Sequence, residues 1–229
     1  MAIRVLLNQK GGVGKSTFTV NLAAVTASVR DSNPDGSSRV LAVSVDPQAS
    51  ASWWSGRVAE QGGELPFHAA QEQDPDKLKI LTELDAVDDI YVDTPGWLGT
   101  GAPDDQAARL YEVLQNAADQ IIIPITTDVL SFLPTARTIE EIAIPSGKPY
   151  VVVINNWDPR DGRTELNEVR EMAENAGWPI AKTVIRRYKI HSRAALNGMV
   201  VTNYGNNRIA LEAKSDFQEL ALELATSWM

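Results

Sequence analysis

A chain of 229 residues is long enough for one large α/β domain with a full hydrophobic core and short for two, so a single domain spanning 1–229 is expected. It contains no cysteine, which excludes a disulfide framework, a thiolate zinc site and a cysteine-held iron–sulfur cluster. The net charge of −9 argues against a protein that coats nucleic acid with its whole surface, yet residues 180–214 hold seven cations against one acid, a local +6 on a remainder of −15.

Short β-branched apolar runs alternate with longer stretches of helical periodicity. That is the pattern of an α/β fold with a mostly parallel central sheet flanked by helices on both faces. In chain order the strands are expected over 3–7, 40–45, 90–92, 120–123, 150–154 and 181–185. The helices are expected over 15–29, 49–59, 105–118, 134–142, 165–176 and 211–227. Residues 31–38 read as a turn-rich loop, and 60–79 has too weak a period to assign. No run of about eighteen apolar residues occurs and no signal peptide opens the chain, so a cytoplasmic protein without membrane contact is expected.

The first strand leads into Lys10-Gly11-Gly12-Val13-Gly14-Lys15-Ser16-Thr17, and apolar residues at helical spacing follow. A glycine-rich loop between a strand and a helix is the context of a P-loop, in which backbone N–H groups and the helix N-terminus cradle phosphate. Lys15 would reach the terminal phosphates of ATP, and Ser16 would ligate Mg2+. An ordinary P-loop has no use for Lys10, five residues earlier. Asp46, after the second strand, is either a catalytic carboxylate or a helix cap. Asp93 ends an apolar strand as a Walker B carboxylate does, where it would hold Mg2+ through water. Asn155 ends another strand, either beside a ligand or as a turn residue.

Residues 10–17 resemble the deviant Walker A motif of the ParA/MinD ATPases, and the resemblance spans nearly the whole chain. It implies Mg2+-dependent ATP hydrolysis that is slow and partner-stimulated. It further implies that Lys10 reaches the phosphates of a second copy in an ATP-dependent homodimer, that Asp46 positions the attacking water, and that Asn155 contacts adenine. Val184–Arg193 is similar to the family's stretch near adenine, which puts Arg187 with the nucleotide. Ser44 stands where relatives carry the first aspartate of Asp-x-Asp-Pro-Gln, which puts metal geometry or turnover in question.

Pro47-Gln48 favours the ParA branch, in a short form lacking an N-terminal helix-turn-helix. The last helix has an acidic polar side, which anionic membranes would repel. The ParA resemblance implies non-specific DNA binding, for which Arg187, Arg193 and Arg208 are the candidates, and a ParB-like adaptor protein. Those arginines are equally readable as solvated surface. Plasmid or chromosome segregation is the expected function. The competing reading is a metabolic P-loop kinase or ligase acting on a small molecule.

Overall fold

The computed structural model describes residues 1–46, 50–96 and 105–226. Its frame is a sheet of β1 (Ala2–Leu6), β2 (Val40–Ser44), β3 (His68–Gln71), β4 (Asp89–Asp93), β5 (Gln120–Thr126), β6 (Tyr150–Trp157) and β7 (Ile185–Arg186), in the order β3-β2-β4-β1-β5-β6-β7. Every pairing is parallel. Parallel neighbours need crossovers, and helices supply them: the expected α1 (Lys15–Ala27), α2 (Ser50–Glu60), α4 (Asp105–Ala117), α5 (Phe132–Thr138) and α7 (Thr164–Asn175), with the short unexpected α3 (Pro75–Leu78) and α6 (Ile144–Ser146). Two more, α8 (Lys189–Leu196) and α9 (Arg208–Thr226), follow the last strand.

Both faces of the sheet are covered, which is why its strands read as continuous apolar runs. Leu6, Tyr91, Ile122 and Val153 pack on one side with Phe18 of α1 and Phe217 and Leu220 of α9; Val5, Val92, Ile123 and Ile154 pack on the other with Leu114 of α4 and Val169 of α7. Among the described residues no helix is long and apolar enough to cross a membrane.

Four elements depart from the expected ones. The segment 60–79 holds β3 and α3, and β3 is an exposed edge strand of four residues with no apolar alternation to betray it. The strand expected at 181–185 shrinks to Ile185–Arg186, with one isolated bridge between Val152 and Ile180. α8 was unassigned because its polar residues masked the period. The helix expected at 134–142 is interrupted by a π-turn over Ile139–Ala143.

Strand β5 also runs three residues beyond expectation, through Pro124. A proline lacks the N–H that a central strand needs. Here β1 contacts β5 only up to Ile122, so no main-chain acceptor is waiting on that side. The Pro124 carbonyl instead accepts from the Asn8 side chain at 2.9 Å.

Candidate nucleotide site

The order of the sheet reverses direction of growth at β1, and ligands of open parallel sheets sit at the C-terminal edge where this happens. β1 ends there at Leu6 and the chain turns through residues 8–14 into α1. Asn8 starts the turn: it is buried, its Oδ1 accepts from Lys10 N at 2.8 Å, and its Nδ2 also donates to Thr135 Oγ1 at 2.9 Å. Gln9 N donates to Thr138 Oγ1 at 2.9 Å, so the loop is strapped to α5.

Gly14 sits at φ 98°, and a Cβ there would meet Asn155 Nδ2 at 2.2 Å, so only glycine fits. The same constraint explains Gly96, whose Cβ would lie 2.9 Å from Gly11 Cα. The turn after β4 is thereby pressed against the loop, and Thr94 Oγ1 donates to Leu6 O at 2.6 Å to pin the two strand ends.

Lys15 is buried. Its Nζ spans the loop, donating to Asn8 O at 3.0 Å and Lys10 O at 3.1 Å. Burial lowers its pKa, and the Asp93 and Asp46 carboxylates oppose that shift. Asp93 is fully buried at the end of β4, and neither carboxylate oxygen has a hydrogen-bond partner among the described residues. Burial pushes its pKa up to about 6, partly offset by the Ser16 hydroxyl and the Lys15 ammonium and reinforced by Asp46. A buried carboxylate with idle oxygens, next to the hydroxyl that opens α1, fits a hard divalent cation that keeps its waters.

Lys10 projects the other way. Its Nζ pairs with Asp128 Oδ2 at 3.2 Å on the wall of a cleft of about 640 Å³. Gly11, Gly12, Val13, Asn156 and Arg187 line the same cleft. Asn155 is buried beneath it, donating from Nδ2 to Val13 O at 2.7 Å, so its amide holds the loop from below. Asn156, the neighbour that does face the cleft, takes φ 62°, the only described non-glycine residue at positive φ.

The expected residues Lys10, Gly11 to Thr17, Asp46, Asp93, Asn155 and Arg187 thus converge on one edge of the sheet. Arg193 on α8 and Arg208 at the start of α9 are exposed and do not line the cleft. Arg208 pairs with Glu212 at 2.7 Å, and Arg186, counted among the basic residues, is held by Asp216 at 2.6 Å. Pro47-Gln48 and the side chain of Trp53 lie outside the described residues. Trp54 is buried and donates from its indole nitrogen to Met199 O at 2.9 Å. His68 is exposed on β3. Asn8, Thr94, Gly96 and Asp128 were not singled out from sequence. Only Asn8 left a signal, since an asparagine two residues before a turning glycine loop is a side-chain turn former.

Loop, lysine and unpaired carboxylate on an all-parallel sheet define a P-loop nucleotide-binding protein. Residues 5–202 match the CobQ/CobB/MinD/ParA nucleotide-binding domain, and the chain belongs to that family. It is an ATPase that uses ATP with Mg2+. It is 38% identical over 225 residues to the maintenance of carboxysome distribution protein A of Gloeobacter kilaueensis, covering 97% of this chain and 94% of that one. Its fold is similar to that of a chain in the MinC:MinD cell division protein complex of Aquifex aeolicus, with a TM-score of 0.72, 17% identity and coverage of 98% and 96%. It is also similar to the ATP complex of McdA from Cyanothece, with a TM-score of 0.68, 15% identity and coverage of 98% and 96%.

Proposed function

We propose that residues 1–229 act as one ATPase domain that positions cargo in the cell by cycling between an ATP-bound dimer on DNA and a released form. The observation that carries this reading is the second lysine. Lys15 is committed to the interior of the loop, whereas Lys10 stands on the cleft wall in a partly exposed ion pair with Asp128. Such a pair is weakly held. It can open at little cost to let Lys10 reach phosphate in a second copy.

In this reading the loop N–H groups and Lys15 bind the phosphates, Ser16 and Asp93 hold Mg2+, and Asp46 orients the attacking water. The metal supplies neutralisation of charge on the phosphate oxygens. Arg187 lies near the nucleotide, and Arg187, Arg193 and Arg208 face DNA phosphate without reading sequence. A ParB-like adaptor stimulates turnover. The 38% identity to a carboxysome distribution protein favours a protein assembly over a plasmid or chromosome region as cargo. Residence on the nucleoid in the ATP state follows.

Fluorescence anisotropy on two unrelated duplexes, with a non-hydrolysable ATP analogue or ADP, tests the cycle. Binding is expected only with the analogue and equally on both duplexes. If each subunit neutralises about three phosphates, the log–log salt slope of the dimer should be about −5. Joint Arg193→Glu and Arg208→Glu, both outside the cleft, should abolish DNA binding and leave dimerisation intact, while Lys10→Ala should abolish both and spare monomer ATP binding. Equal affinity with ADP, or a Lys10→Ala protein that sediments as a dimer, overturns the reading. Fast turnover only with a small-molecule substrate would instead identify a metabolic kinase or ligase.

A further inference from the structure

Ser44 ends β2 and is 1% exposed, and its Oγ is buried without a hydrogen-bond partner among the described residues. It stands in register with Asp93 of the adjacent β4, two positions beyond the Ala42–Tyr91 pair. Partners in register on parallel strands project to the same face. That face is the one Ala42 and Tyr91 share with Phe18, under α1, whose first turn carries Lys15 and Ser16. An unpaired buried hydroxyl is destabilising, and here it adjoins a buried carboxylate with both oxygens idle. Three unsatisfied oxygens in one row of the sheet, beside the hydroxyl of Ser16, make a site that lacks a donor-rich partner. A hydrated cation is such a partner.

We propose that Ser44 is a positioning residue for Mg2+, its hydroxyl accepting from the water shell of the ion that Ser16 and Asp93 hold. The chain thus organises the metal with one carboxylate and one neutral oxygen in this row. The inference rests on the assignment of Ser16 and Asp93 to the metal.

Mn2+ binding to the full chain with a non-hydrolysable ATP analogue, followed by electron paramagnetic resonance, tests it together with thermal melting in the absence of metal. Loss of an outer-shell partner commonly weakens metal binding by about ten-fold or more, and that is expected for Ser44→Ala. Analogue affinity in EDTA should not change. The melting temperature without metal should stay level or rise, because an unsatisfied buried hydroxyl has been removed. A side chain serving the fold would show the opposite pair of effects. Ser44→Thr keeps the hydroxyl and should recover most of the Mn2+ affinity. The proposal is overturned if Ser44→Ala binds Mn2+ like the wild type, if it melts lower without metal, or if a folded Ser44→Thr is as weak as Ser44→Ala. The underlying assignment fails separately if Asp93→Asn binds Mn2+ as tightly as the wild type, and the proposal then falls with it.

Discussion

The phosphate site and the basic segment both gather charge, but they hold it differently. At the phosphate site Lys15 and Asp93 are buried and, among the described residues, no salt bridge joins them, Lys15 bonds only main-chain carbonyls, and Asp93 has no hydrogen-bond partner. In the basic segment the nominal +6 is already partly neutralised. Arg186 bonds Asp216 through both Nε and Nη2 and lies over the Tyr188 ring at 5.4 Å, while Arg208 meets Glu212. Buried groups left unpaired await a ligand of opposite character. Paired surface groups have spent much of their field on each other, so the cations that remain for DNA are fewer than composition implies.

Lys15→Ala breaks the first side of this contrast and has the largest expected effect. Removing an ammonium that faces phosphate inside a buried loop should cost about 100-fold in ATP affinity, or ~3 kcal/mol. Titration calorimetry checks this, and wild-type affinity in the variant would remove Lys15 from the site. The fold should persist, because among the described residues the lysine bonds only its own loop.

Why one region was legible in sequence and the other was not follows from range. The loop is a local object: glycines at fixed offsets, a strand before and a helix after, all within residues 3–17. Its roles could be written down because the backbone conformation demanded those residue types. Arg208 and Glu212 are one helical turn apart, but the partner of Arg186 comes from elsewhere in the chain. Asp216 lies thirty positions from Arg186, and no period links them. Asn155 shows both cases at once: its place at the end of β6 was readable, but its bond to Val13 O, 142 residues away in sequence, was not. The short β3, exposed along its length, and α8, whose polar residues hide its period, escaped for a related reason. Tertiary context decides such segments, and propensity does not.

Asp216→Ala sharpens the second side. Asp216 is buried and Arg186 is about three-tenths exposed, so removing the carboxylate strands a partly buried guanidinium. Breaking a buried pair costs ~3–5 kcal/mol, and the partial exposure of Arg186 lowers the expectation to about 2–3 kcal/mol. Urea denaturation should show the loss, and Arg186→Met combined with Asp216→Leu should recover most of it. If the single variant is as stable as the wild type, the pair holds nothing together, and Arg186 is as available to DNA as composition implies.

The smallest effect concerns what anchors α8, the helix that carries Arg193. His191 sits among the rings of Tyr188, Tyr204 and Phe217, with centroids 5.6 to 6.0 Å away, and its Nδ1 lies 3.2 Å from Tyr204 Oη. Its Nε2 is buried without a partner among the described residues, so a proton there would carry an unsolvated charge. Burial accordingly pushes its pKa down to about 4 from an ordinary 6.5. The unfolded chain binds the proton more readily than the folded one, so this stabilisation is fully present above pH 6.5 and is lost as pH falls toward 4. Between pH 7.5 and pH 5 the loss should be about 2 kcal/mol. Other groups titrate in that range as well, so the test compares urea midpoints of the wild type with those of His191→Phe, which keeps the ring and removes the proton site. The variant should lose about 2 kcal/mol less over the same interval. Parallel pH profiles would mean that His191 is solvated when charged, and that α8 is held to the body of the protein more loosely than its ring contacts indicate.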